Sequence, residues 1–392
     1  MILWLLGCDP YRAWPEPETY FPYVHTPEDD LEAYEEVRFE TQTWTVEEDY
    51  DQLALYVRKS AEHRKGAPVE SLDHFEAMRA KIPPLGDGAR VSFAGDVMWI
   101  GDNWSAFADP VAHLFDGDLR VANLETPTSP LHSTEQGDLG LYAFNAPPEL
   151  LDGLPVDVLQ LNNNHSLDAG DDGLAATVDE VEARGIVQTG VDTHARVGDV
   201  ALLSYTWGVN DPSVPTSHEL FVVPFGHVGE PIDLSGVAAD IAATGAETVV
   251  VLLHWGFEYE YYPDPHFLVL AREIVAAGAD LIVGHGPHVV QPPELCHVNR
   301  PEEVPGVGTC SLRTDDGEPR TAAILYSLGN FASIMPTAAC EVGIVATVSL
   351  DPDVTGLGWA AVQNVEGPAV VPVEDAEEEA RLDAHLGDGW KR

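Results

Sequence analysis

Six short stretches of this chain each carry a hard oxygen or imidazole donor where an apolar run gives out. They are Gly95-Asp96, Asn123-Leu124-Glu125, Asn162-Asn163-Asn164-His165, His254-Trp255-Gly256, Gly284-His285-Gly286-Pro287-His288 and Ser327-Leu328-Gly329-Asn330. Mixed Asp, Glu, Asn and His donors without cysteine suit one or two divalent ions of the Mn, Fe or Zn type. Such ions activate water and polarise the bond it attacks, so the set points to metal-dependent hydrolysis. A lone His254 at the end of an aliphatic run reads as an ordinary core residue, and a lone Asp96 as a helix cap. Together with His285 and His288 they read as ligands.

Donors scattered over so many residues meet only if a fold gathers strand ends at one edge. From Ala89 onward, short apolar runs alternate with amphipathic stretches, the pattern of an α/β domain. The sequence predicts strands at Arg90–Ala94, Leu119–Asn123, Val156–Leu161, Val200–Tyr205, Thr248–His254, Leu281–Val283, Ala322–Ser327 and Val342–Leu350. It predicts helices at Asp172–Arg184, Ile232–Ala243 and Pro265–Ala277. Runs such as Val249-Val250-Val251-Leu252-Leu253 suit strands covered on both faces. Asp96, Glu125, Asn164, His254 and His285 all fall at the C-terminal ends of such strands, where α/β folds usually carry their sites.

The chain divides into a start and tether at 1–26, an acidic helical extension at 27–88, the α/β region at 89–350, and an acidic segment at 351–392. Val69 to Lys81 reads as a helix stopped by Pro83-Pro84. Leu5-Leu6-Gly7-Cys8 resembles a bacterial lipobox, which predicts an extracytoplasmic lipoprotein of the cell envelope, touching membrane only through a lipid anchor on Cys8. Cys296 and Cys310 bracket a Pro- and Gly-containing excursion that a disulfide would close in an oxidising compartment. Cys340 is left as a small buried hydrophobe.

The charge is extreme, with 66 acidic against 19 basic residues in 392, formally −47. Residues 89–348 contain no lysine. Nucleic acid and anionic membrane surfaces are therefore excluded as partners. An anionic substrate has to be held by metal ions, a few arginines or backbone amides.

At this point the motifs in order resemble the bacterial CapA family of capsule and poly-γ-glutamate synthesis proteins, whose fold is similar to the calcineurin-like metallophosphoesterases. The resemblance covers about residues 90–348. It is carried by Gly95-Asp96-Val97-Met98, Ala122-Asn123-Leu124-Glu125, Phe144-Asn145-Ala146-Pro147, Asn163-Asn164-His165 with Asp168 and Gly170, His254-Trp255-Gly256-Phe257-Glu258-Tyr259, His285-Gly286-Pro287-His288, and Tyr326-Ser327-Leu328-Gly329-Asn330-Phe331.

The resemblance implies a four-layer α/β/β/α sandwich of metallophosphoesterase type. Asp96 would bind a first metal, Glu125 would bridge, Asn164 and His254 would bind a second, and His285 and His288 would serve one each. His165 would protonate a leaving group or steady the transition state, with Asp168 orienting it. Asn123, Glu258 and Asn330 would contact substrate, and a metal-activated water would be the nucleophile. The implied partners are an anionic polymer or phosphoester substrate and the capsule-synthesis machinery. The sequence departs from the pattern in two places. Met98 stands where the phosphoesterases place histidine, and residues 285 and 288 reach one site only if Gly286-Pro287 forces a turn. Two other readings stay open: an accessory protein using a structural metal, and a secreted phosphoesterase unrelated to capsule. Trp255, Tyr259, Tyr261 and Tyr262 suit either a binding wall or core packing.

Overall fold

A computed structural model describes residues 66–140, 142–223, 232–314, 317–335, 338–365, 367 and 369–392. The lipobox-like start, the tether and the acidic helical extension up to residue 65 lie outside the described residues. The described chain opens with helix α1 (Val69–Arg79). Parallel strands β1 (Ala89–Val97), β2 (Leu119–Leu124), β3 (Val158–Gln160) and β4 (Val187–Thr189) then build one half of a first sheet. A short helix α2 (Glu149–Asp152) and the longer α3 (Gly170–Ala183) intervene.

The chain then crosses to a second sheet. Strands β6 (Val200–Thr206), β7 (Thr248–His254), β8 (Leu281–His285) and β11 (Arg320–Leu325) are its parallel centre, flanked by β5 (Ala195–Val197), β9 (Glu294–Val298) and β10 (Cys310–Leu312). Helices α4 (Ser235–Thr244) and α5 (Pro265–Ala276) connect these strands. β12 (Asn330–Ala332) returns to pair with β1, and β13 (Val342–Asp351), β14 (Asp353–Val365) and β15 (Ala369–Pro372) extend the first sheet antiparallel. The acidic segment beyond residue 350 thus supplies two strands and the docked helix α6 (Ala376–Leu386).

The alternation of side chains along the strands makes the layers. Val91, Phe93 and Val121 face a core shared with the second sheet. Ala94, Val97, Ala122, Leu124 and Leu159 face outward into a second core with Leu174 and Val181 of α3. Helices α4 and α5 cover the outer face of the second sheet. The result is the α/β/β/α sandwich the motifs imply. β7 is buried along its whole length, and each Val or Leu so buried contributes roughly 1.5–3 kcal/mol. Asp264 caps α5 by accepting from the His266 amide, and Pro265 follows at the first helical position, where proline is tolerated because that N–H has no intrahelical partner. No helix among the described residues is long and apolar enough to cross a membrane. Cys296 and Cys310 form a disulfide between register partners of β9 and β10, and Cys340 is a buried free cysteine.

Candidate metal centre

The C-terminal ends of the parallel strands of both sheets meet at one point. Asp96 is the penultimate residue of β1, Glu125 follows β2, and His254 and His285 are the last residues of β7 and β8. All four are buried. Ligand atoms of Asp96, Glu125 and His254 lie within 4.8 Å of one another. His285 Nδ1 stands 3.2 Å from Asp96 Oδ1, and His288 Nδ1 stands 3.2 Å from Asp96 Oδ2. His254 Nε2 and His288 Nε2 approach Glu125 Oε1 at 3.5 and 3.7 Å.

The turn that the His285–His288 spacing requires is present. Gly286 has φ 107° and His288 has φ 59°, left-handed values that glycine adopts freely and histidine seldom does. A side chain at 286 would place Cβ 2.7 Å from the Trp255 carbonyl oxygen and 3.2 Å from His254 Nε2. The Gly286 amide instead donates to Asp96 Oδ2 at 3.3 Å. Gly95 is equally constrained, since a Cβ there would meet the Gly329 carbonyl oxygen at 1.9 Å where β12 crosses β1.

The electrostatics show what the cage lacks. Burial would raise Asp96, but the flanking His285 and His288 imidazoles hold its carboxyl well below the usual range. Burial, and then the Asp96 charge, push Glu125 well above it. Burial drives His254 down to about 3, whereas His288 rises to about 10 because the charges of Glu125 and Asp96 outweigh its burial. Glu125 Oε1 and Oε2, Asn164 Oδ1 and His285 Nδ1 are buried with no hydrogen-bond partner among the described residues. Buried polar atoms are rarely left so, and a carboxylate with both oxygens unpartnered beside Asp96 and His254 fits a divalent cation. These buried carboxylate and imidazole groups can bind a metal.

A polar network stands behind the cage. Asn123 donates to Asp96 Oδ1 at 2.9 Å and lies 3.4 Å from His254 Nδ1. Its own oxygen accepts from Asn163 at 3.1 Å, and Asn163 also donates to the Leu124 carbonyl. Asn330 accepts from His288 Nδ1 at 3.0 Å and donates to the Cys340 carbonyl. Asn123 and Asn330, expected to touch substrate, are fully buried with both amide ends engaged. Each is hydrogen-bonded to a cage residue, Asn123 to Asp96 and Asn330 to His288.

His165 Nδ1 and Asp168 Oδ2 are 2.6 Å apart, and Asp168 also accepts from the Phe144 amide. Burial raises Asp168 in spite of the His165 partner. The His165 amide donates to Asn163 Oδ1, tying this pair to the network. Asn164 stands on the wall of an adjoining small cavity with His254, Glu258, Trp207 and Gly286. It donates to Asn210, whose Nδ2 lies 3.2 and 3.4 Å from the two His165 ring nitrogens. Sequence reasoning missed Asn210 and the positioning role of Asn163. Asn210 lies just past β6, so the strand-end rule that found the others applied to it too. Met98 is buried and accepts from the Ser333 hydroxyl, so its thioether is spent in packing. Trp255, Tyr259, Tyr261 and Tyr262 are all buried in the core.

Comparison with known proteins identifies the family. The profile described as bacterial capsule synthesis protein PGA_cap matches residues 90–335. The chain is 26% identical over 279 residues to the PGA biosynthesis protein CapA of Bacillus subtilis (strain 168), covering 62% of this chain and 63% of that protein. It is 34% identical over 147 residues to the capsule biosynthesis protein CapA of Bacillus anthracis, covering 34% and 35%. It is 27% identical over 200 residues to a "Probable polyglutamine synthesis accessory protein" of Mycobacterium tuberculosis (strain ATCC 25618 / H37Rv), covering 45% and 52%. The chain therefore spans less than two thirds of the length of each of these relatives.

Proposed function

The chain belongs to the bacterial capsule synthesis protein family PGA_cap, and from that premise we propose a CapA-like protein of capsule or poly-γ-glutamate biosynthesis with a metal-dependent hydrolase site. One observation carries the hydrolase reading. Glu125 is fully buried, neither of its oxygens has a hydrogen-bond partner among the described residues, and Asp96, His254 and His288 lie beside it. Asp96, Glu125, His254, His285 and His288 would hold one or two Mn, Fe or Zn ions, with Asn164 Oδ1 free to complete the set from the cavity wall. Bound there, such ions acidify water and polarise a phosphoryl or carbonyl oxygen. His165, held by Asp168, would deliver a proton to the leaving group.

The net charge of −47 opposes a polyanionic substrate, so bridging cations are part of this reading. We also place the protein outside the cytoplasm, a reading that the Cys296–Cys310 disulfide supports. Elemental analysis combined with turnover of bis-p-nitrophenyl phosphate tests the proposal. His165→Ala should lower turnover about 10²–10⁴-fold, the range for a lost general acid, with metal retained. Equal metal loss in that variant would refute its role. The second reading, an accessory protein with a structural metal, is favoured by Met98 lying where a ligand histidine is expected. A metal-loaded, inactive protein that still binds γ-glutamate polymer would select it.

A further inference from the structure

The cavity beside the cage is set up for a ligand of a particular charge. Glu258 lines it, and its Oε2 is buried with no hydrogen-bond partner among the described residues. Trp207 lines the same wall. None of the described arginines or lysines lines this cavity. A carboxylate with a spare oxygen beside aromatic surface, with no arginine or lysine lining the cavity to pair with it, is the chemistry that binds an ammonium group.

A γ-glutamyl polymer is anionic along its length and carries a positive charge only at a free amino end. We propose that Glu258 recognises a primary ammonium group, such as that free amino end, and so seats the chain terminus rather than its interior beside the cage. This rests on the hydrolase reading for placing substrate in the cavity. It also gives a strongly acidic protein a way to admit a polyanion, with the cationic end leading.

The test is calorimetric titration of the manganese-loaded protein with a γ-glutamyl trimer bearing a free amino end, and with its N-acetylated counterpart. The free trimer should bind about 10-fold more tightly or better, as a charge-assisted contact allows. Glu258→Gln should erase that preference while leaving metal content unchanged. Equal binding of the two trimers to the wild-type protein, or binding of neither, overturns the inference without relying on any variant. A preference retained in Glu258→Gln also overturns it, and metal loss in that variant would make Glu258 a ligand instead. Turnover of bis-p-nitrophenyl phosphate, measured alongside, separates the two readings. Turnover without amine preference sinks only this inference, and amine preference without turnover sinks only the hydrolase.

Discussion

Two buried carboxylates of this protein, Glu125 and Glu294, share one degree of burial and have opposite chemistry. Both are fully shielded from solvent, and each belongs to a group whose potential ligand atoms lie within 4.8 Å of one another. Around Glu294 every demand is met. His74 Nε2 lies at 2.5 Å, Arg272 donates at 2.6 and 3.2 Å, and the Tyr326 hydroxyl donates at 2.7 Å. The neighbouring thiols of Cys296 and Cys310 are consumed in their disulfide. Burial would raise Glu294, but His74 and Arg272 hold it below the usual range. Around Glu125 neither oxygen has a hydrogen-bond partner among the described residues, and burial, then the Asp96 charge, displace its carboxyl upward. Proximity of acids and histidines therefore does not mark a metal site. Unmet hydrogen-bonding capacity does.

That contrast can be broken by substitution at either end. Glu294→Ala leaves the Arg272 charge without its partner, so it should cost about 3–5 kcal/mol of stability in chemical denaturation, with metal content unchanged. Glu125→Gln should do the reverse. Metal affinity should fall about 100-fold or more, about 2.7 kcal/mol, while the metal-free melting temperature stays level or rises because a buried, unmatched carboxyl is gone. Asn123→Ala removes an orienting group rather than a ligand, so metal affinity measured by competition with a chelator should drop about 10–100-fold. If Glu294→Ala released metal, or Glu125→Gln unfolded the protein, the two sites would not differ in kind.

The smallest effect is in acid. A carboxyl depressed in the folded state contributes stability above its unfolded value near 4.5, and that contribution disappears as pH falls through the folded value. The wild-type advantage over Glu294→Gln should therefore be present at pH 7 and shrink below about pH 4.5. Thermal melts of the pair across that window check the sign, and an advantage that grew with acidity would contradict it.

How much of this was legible beforehand follows from what each feature depends on. Asp96, Glu125, His254 and His285 were readable because the strands leading to them are long apolar runs, and the ends of parallel strands are topologically fixed. β14 was not anticipated. Its sequence carries Gly356 and Gly358 in mid-strand, which weakens any local strand signal, and its partner β13 supplies the order instead. The hydrogen bonds of Asn123 and Asn330 to cage residues were not legible, because a buried amide holding a neighbour and an exposed amide holding a ligand are the same residue in a sequence. Burial alone separates them. The positive φ at His288 is likewise imposed by tertiary contacts, with the Tyr259 amide bonded to the Pro287 carbonyl inside the turn.

The central claim is that the carboxylates and imidazoles at the rim of the two sheets form a cation cage. Elemental analysis of wild-type protein and Glu125→Gln, both purified without chelator, tests it most directly. The account predicts about one to two Mn, Fe or Zn ions per wild-type chain and a loss of most of that metal in the variant. Wild-type protein free of transition metal that also fails to take up manganese or zinc on addition, or a Glu125→Gln variant holding as much metal as wild type, would contradict it.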